Sequence, residues 1–330
     1  MMALEIPTYL DVVAARERLK GHAHVTPLVR HDLLDKISGL KLHLKNETVQ
    51  KSGAFKYRGA YSRLSLLNEI ERATGVVAFS SGNHAQGVAL AAKELGISAT
   101  IVMPRTAPLK KKQGTLSHGA KVVEYDPETT SREKLGADIA KHEKRTLVPP
   151  FDDKYVIAGQ GTCGIEIITQ AKDIGVDLDA LITPMGGGGL CAGINLAFDH
   201  LSPCTKIYGG EPVDYDDQAR SLRAGKRVSN RPAPLSLCDA LMSPAPGEIT
   251  FAINKKHLAG VFPMTDEECL LAMAIAKETL DITLEPGGAI ALAAALSRTN
   301  NIAPGANVAV VLSGGNVDAE VFARATAIDD

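Results

Sequence analysis

Lys56 stands behind a run of small residues in "QKSGAFKYRGA" (Gln50 to Ala60), and a helix-like segment follows it. A lysine between loop and helix is ordinarily a solvated cation. Directly behind Ser52, Gly53 and Ala54, however, nothing bulky covers the amine, and an open amine can react with a carbonyl carbon. Three further stretches offer complementary chemistry. "SSGNHAQG" (Ser80 to Gly87) sets two hydroxyls, a glycine and an asparagine at the start of a helical pattern. Free backbone N–H groups and the positive end of a helix dipole suit an anion there, a carboxylate first of all; a plain Ser or Asn N-cap is the other reading. "GGGG" (Gly186 to Gly189) would be an entropic liability in an ordinary loop and makes sense where a backbone must wrap a phosphate. "SGGN" (Ser313 to Asn316) puts a hydroxyl where it could meet a ring nitrogen or simply cap a turn.

The glycine run has a rival interpretation. Gly187, Gly189 and Ala192 satisfy G-x-G-x-x-A after an apolar run, and Glu211 closes the next one. That is the dinucleotide fingerprint with its ribose-binding acid, and alone it would indicate an NAD-dependent oxidoreductase. It leaves "SGAFK" and "SSGNH" without a role, whereas an aldehyde cofactor bearing a phosphate employs all three stretches together.

These residues need strand ends to hold them. "GVVAF" from Gly75, "ATIVM" from Ala99 and "KVVEY" from Lys121 are short β-branched runs; "NHAQGVALAAKELG" and "PLKKKQGTLSHG" between them have helical periodicity and a closing glycine. A second series follows with "ALITPM", "TKIYGGE" and "NVAVVL". Alternation of this kind predicts parallel sheets flanked by helices, here in two lobes, with ligands at the carboxyl ends of the strands. The expected division is a large domain of residues 1–56 and 150–330 and a small domain of residues 57–149. The Pro- and Ser-rich stretch from Gly225 to Gly247 reads as a long ordered loop.

Bulk properties narrow the class. The chain has 330 residues, 45% hydrophobic and 22% charged, with a net charge of −2, which argues against nucleic acid or a membrane surface as partner. No apolar run reaches the length of a membrane span, and the acidic N-terminal residues lack the pattern of a signal peptide. Five scattered cysteines without a CxxC read as reduced thiols, so a cytoplasmic location is expected.

Taken together the stretches resemble the fold-type II pyridoxal-phosphate enzymes, specifically the serine/threonine dehydratase and serine racemase group. "SGAFKYRGA" is similar to that family's lysine motif, "SSGNHAQGVALAAKELGISATIVMP" to its carboxylate loop, "GGGGL" to its phosphate loop and "SGGNVD" to its pyridine-nitrogen site; "VIAGQGT" and "GGEP" are further shared segments. The resemblance implies a two-lobed α/β fold like that of the tryptophan synthase β chain, pyridoxal 5′-phosphate as cofactor, a small amino acid as substrate and a homodimer. It implies that Lys56 is the Schiff-base lysine and α-proton base, with Phe55 beside the cofactor, Asn83 at its 3′-oxygen, and Gly186, Gly187, Gly188 and Gly189 at its phosphate. Ser313 would meet the pyridine nitrogen, and a neutral hydroxyl there leaves the ring unprotonated, favouring prompt β-elimination over a long-lived carbanion. Ser80, Ser81, Asn83 and His84 would hold the substrate carboxylate; Ser81 also stands where the racemases carry their second acid/base. Arg132 falls where the racemase-like branch has an arginine that can reach a side-chain carboxylate. Glu211, Asp217 and the carbonyl of Tyr215 resemble that branch's divalent-cation site, for Mg²⁺ or else Ca²⁺ or Mn²⁺.

The implied activity is dehydration of a β-hydroxy-α-amino acid of the L-threonine or L-serine type, 3-hydroxyaspartate and phenylserine included, to a 2-oxo acid and ammonia. A serine or aspartate racemase with side dehydratase activity is the alternative within the family. The chain departs from the usual pattern at Ala54 (commonly Ser), where a hydroxyl near phosphate or substrate is missing, and at Ala240 after Asp239 (commonly Gly) and "PGG" from Pro286, which loosen the assignment to plain threonine or serine.

Overall fold

The computed structural model describes residues 4–80, 82–107 and 109–327. Among these, ten strands follow one another along the chain: β1 (Leu28–Val29), β2 (Lys41–Asn46), β3 (Val76–Phe79), β4 (Ala99–Pro104), β5 (Lys121–Tyr125), β6 (Thr146–Leu147), β7 (Ala180–Pro184), β8 (Lys206–Pro212), β9 (Leu258–Met264) and β10 (Asn307–Leu312). They form two sheets flanked by helices, one in the order β1-β2-β10-β7-β8-β9 and one in the order β5-β4-β3-β6. Pairing is parallel throughout the smaller sheet. It is parallel in the larger sheet too, except at its edge, where the two-residue β1 runs antiparallel to β2. A short antiparallel edge on an otherwise parallel sheet is a common arrangement.

Burial follows from the patterns. β3 and β7 are covered on both faces and are buried along their whole length. Helix Pro286–Leu296, "PGGAIALAAAL", is apolar on every side and accordingly almost wholly buried against the larger sheet. β2 carries Lys45 in its buried run, which periodicity alone would exclude; the ammonium is paired inside, as described below.

One helix joins the elements that matter most. Lys154–Asp173 packs between helix Lys56–Leu64 and helix Gly189–Leu201. Its "VIAGQGT" segment brings backbones into close approach. A Cβ on Gly159 would lie 2.6 Å from the carbonyl of Arg58, and one on Gly161 would lie 2.6 Å from that of Gly193. Those glycines therefore set the spacing between the lysine helix and the helix that follows the glycine loop.

Candidate active site

The carboxyl ends of β3, β7 and β10 open on one cleft. Phe55, Lys56, Ser80, Asn83, His84, Arg132, the four glycines and Ser313 all line it, so nearly every residue singled out for the cofactor and substrate is brought to one place. Ser81 lies outside the described residues.

Lys56 is fixed by the turn before it. Gly53 has φ +73°, and a Cβ there would meet Asn316 Oδ1 at 2.6 Å. Ala54 bridges to Gly314, and the Phe55 N–H donates to the Ser313 carbonyl at 3.1 Å. The lysine thus begins its helix beside the end of β10. Its Nζ donates to the Pro150 carbonyl at 2.6 Å and has no carboxylate partner among the described residues. Burial lowers the amine to about 8, which makes the neutral, nucleophilic form accessible near neutral pH.

Two helix N-termini face the cleft. In the glycine loop the carbonyls are held from behind: Gln218 Nε2 donates to Gly186 O at 2.6 Å, Thr250 Oγ1 to Gly187 O at 2.6 Å, and Asn254 Nδ2 to Gly188 O at 3.2 Å. The N–H groups of Gly186 through Leu190 find no acceptor among the described residues. Five donors at the start of an α-helix make an anion cradle. Side chains would not fit it. Gly188 has φ +90°, and a Cβ on Gly187 would sit 2.4 Å from the Phe151 ring.

The second N-terminus belongs to helix Asn83–Leu95, whose Asn83, His84 and Ala85 N–H groups are likewise without acceptors among the described residues. The His84 ring is not free to serve an anion. Its Nε2 donates to the Val148 carbonyl at 2.9 Å, which leaves buried Nδ1 as a bare acceptor. Burial, then the nearby Lys56 charge, hold the imidazole neutral at about 3. A carboxylate would therefore meet the main-chain N–H of His84 and not its ring, a refinement of the residue's expected part.

Asn83 is locked at both ends of its amide, donating from Nδ2 to Glu285 and accepting at Oδ1 from Asn316 Nδ2 at 2.7 Å. Glu285, raised to about 7 mainly by burial, was not indicated by any motif; nor was Lys111, whose ammonium meets Asp239 Oδ2 at 2.6 Å. Ser313 is buried and lines the cleft. Arg132 stands at the mouth, its Nε donating to Glu133 at 2.8 Å.

The acidic segment lies apart from the cleft. Glu211, fully buried at the end of β8, accepts from the Gln218 and Ala219 N–H groups at 3.0 and 2.9 Å and so caps helix Asp217–Ala224. Glu211 does not line the cleft with the glycine loop, which removes the acid the dinucleotide reading required. Asp217 accepts from Asn230 at 2.7 Å through Oδ1, while its buried Oδ2 has no partner among the described residues. Burial raises Glu211 to about 8 and Asp217 to about 7. Half-buried Tyr215 sits between them in the turn Val213–Tyr215. Among the described residues no three His, Cys, Asp or Glu side chains cluster, so a cation held here would need carbonyl or water oxygens beside the two carboxylates.

A buried amine, a cradle of five N–H donors and a buried hydroxyl gathered on one cleft fit a pyridoxal-phosphate site. The comparisons agree. The profile of the family described as "Pyridoxal-phosphate dependent enzyme" matches residues 19–314, and the chain belongs to that family. It is 39% identical over 318 residues to the L-threo-3-hydroxyaspartate ammonia-lyase of Saccharomyces cerevisiae, covering 96% of each chain. To the serine racemase of Schizosaccharomyces pombe it is 39% identical over 321 residues, covering 97% of this chain and 98% of the relative. Among solved structures it superposes on maize serine racemase with a TM-score of 0.91 at 34% identity, covering 98% of both.

Proposed function

We propose that the chain is a pyridoxal-phosphate-dependent ammonia-lyase that removes water from a β-hydroxy-α-amino acid and yields a 2-oxo acid and ammonia. The observation that carries this reading is the buried Lys56 amine, lowered to about 8, between two unsatisfied helix N-termini and opposite a neutral Ser313 hydroxyl. When bound, the cofactor supplies an aldehyde for amines and a ring that withdraws electrons from Cα. Gly186, Gly187, Gly188 and Gly189 would hold its phosphate, and Phe55 and the locked Asn83 would contact the rest of it. Lys56 would anchor it and is the base placed to take the proton from Cα. Ser80, Ser81, Asn83 and the His84 main chain hold the substrate carboxylate, and Arg132 steers a second carboxylate at the mouth. A neutral Ser313 hydroxyl at the ring nitrogen would leave the ring a weak electron sink and so favour loss of the β-hydroxyl. The test is ammonia and 2-oxo acid release by the holoenzyme from a panel of L-threonine, L-serine, L-threo-3-hydroxyaspartate and phenylserine; release from none of them defeats the reading.

Racemisation is the second reading, supported by similarity to a serine racemase as high as that to the ammonia-lyase. Ser81 would then serve as the acid/base on the face opposite Lys56.

Cofactor capture should report the state of Lys56. Only the neutral amine attacks an aldehyde, so uptake by the apoprotein should quicken about tenfold per pH unit below about 8 and level off above it. A plateau reached only above pH 10 would mean a solvated lysine.

We further assign a divalent cation to Glu211, Asp217 and the Tyr215 carbonyl, supported by two buried carboxylates driven toward neutrality and by the unpartnered Asp217 Oδ2. An ion bound only by the folded state stabilises it by about 2.7 kcal/mol at a hundredfold excess over Kd. Chelation should therefore lower Tm by several degrees, with Mg²⁺ restoring it. An unchanged Tm and no metal by elemental analysis would leave a plain acidic turn. A cytoplasmic homodimer completes the proposal, in keeping with five free thiols, and sedimentation tests the dimer.

A further inference from the structure

Lys111 comes from helix Leu109–Ser117, which lies against the smaller sheet, and Asp239 from the short turn Asp239–Leu241 beside the larger one. Their 2.6 Å ion pair spans the cleft that also contains Lys56, Asn83 and the glycine loop. The two partners are not alike. The Lys111 side chain is 9% exposed and that of Asp239 is 45% exposed. The cation is fixed in the wall, and the anion stands half in solvent.

An ammonium has three protons to donate, and Asp239 is the one hydrogen-bond partner of the Lys111 Nζ among the described residues. Glu285 and Asp318 lie close enough to favour its charge without touching it. A buried cation whose single direct counter-ion can swing into water is equipped to change partners. Asp239 would lose little by leaving, because a half-exposed carboxylate is readily hydrated. Lys111 would lose much unless another anion replaced it, because a buried charge left unpaired is costly.

We infer that Lys111 is the receptor for the side-chain carboxylate of a dicarboxylic β-hydroxy-amino acid, and that Asp239 is the counter-ion this carboxylate displaces. The inference rests on the lyase reading above and narrows its substrate class to the 3-hydroxyaspartate type. A substrate with a neutral side chain gives Lys111 nothing in exchange and leaves the pair closed. Arg132 is less suited to hold the group. It is one-third exposed at the mouth and already engaged with Glu133, so its part is entry.

The test compares kcat/KM for L-threo-3-hydroxyaspartate and for L-threonine in the holoenzyme, with succinate as an inhibitor of threonine turnover. Lys111→Met should lower the hydroxyaspartate-to-threonine ratio about 10- to 100-fold, the value of a charge-assisted hydrogen bond, and weaken succinate in parallel. Asp239→Asn should raise the ratio and tighten succinate, because the competing carboxylate is gone. A ratio unmoved by both substitutions, or lowered by Asp239→Asn, overturns the inference and leaves the pair a brace between the two halves. Collapse of the ratio in Arg132→Ala but not in Lys111→Met would transfer the role to Arg132 and overturn it as well. If the wild type turns over neither amino acid, the lyase reading fails by itself. Succinate binding to wild type and Lys111→Met, measured by calorimetry, then still decides the Lys111 assignment: equal affinities overturn it.

Discussion

Replacing Lys56 by alanine should give a folded protein that is colourless after exposure to pyridoxal phosphate and releases no measurable ammonia. The loss has two parts. Nζ is the only amine of the described cleft that is buried without a carboxylate partner, so its removal takes away the covalent anchor. The same nitrogen is the group placed to take the Cα proton, and a general base is worth roughly 10²–10⁴-fold by itself. Burial that lowers the amine to about 8 also makes it costly to keep charged, so alanine removes a destabilising group and leaves no unpaired partner except the Pro150 carbonyl. Stability should therefore hold while activity disappears. Borohydride reduction of the wild type, followed by peptide mapping, should place the cofactor's mass on Lys56; a label on any other lysine would contradict the assignment.

Arg58→Ala should act in the opposite manner, through the fold. The guanidinium is 1% exposed and donates to both oxygens of Glu47, each at 2.8 Å, and to both oxygens of Glu166, at 2.6 and 2.8 Å. Lys45 Nζ completes the network with Glu166 at 2.7 Å, Gln170 at 2.8 Å and the Thr26 carbonyl at 2.6 Å. Two cations and two carboxylates are thus balanced in the interior. Such networks contribute uncertain net stability when intact, but removing one member strands the others, at a cost of about 3–5 kcal/mol. Here Glu47, fully buried, would keep only the Thr26 hydroxyl and the field of Lys45. Because Arg58 lies two residues beyond Lys56 on the same helix, the damage should reach the cleft as weaker cofactor retention. Urea unfolding measures the main effect. A midpoint equal to that of the wild type would show that the network relaxes or admits water and that its members are not bound to one another energetically.

What could be read from the sequence divides along a physical line. The glycine loop and Ser313 announce themselves because each joins a strand end to a small-residue run, and Lys56 because it directly follows such a run. Repeated β-branched runs gave away the parallel sheets for the same local reason. The two-residue strands β1 and β6 are too short for any period to register. β2 reads as "KLHLKN", amphipathic on its face, yet is buried from Leu42 onward because Lys45 finds its partners more than a hundred residues away. The Lys111–Asp239 pair and the Arg58–Glu166 pair join residues 128 and 108 positions apart. No spacing rule reaches that far, so the residues that brace the cleft and select within it emerged only from the folded arrangement. The His84 ring is the instructive intermediate case. Its place in the carboxylate loop was legible, but its neutrality and its commitment to Val148 depend on burial that a motif does not express.

The central claim is that the cleft expels a β-hydroxyl faster than it inverts Cα. One time course decides it: L-serine is supplied to the holoenzyme, and ammonia, the 2-oxo acid and the serine enantiomers are measured in the same samples. The account predicts equal amounts of ammonia and 2-oxo acid, formed faster than any D-serine accumulates. D-serine accumulating ahead of ammonia would contradict it and make the protein a racemase with lyase activity on the side.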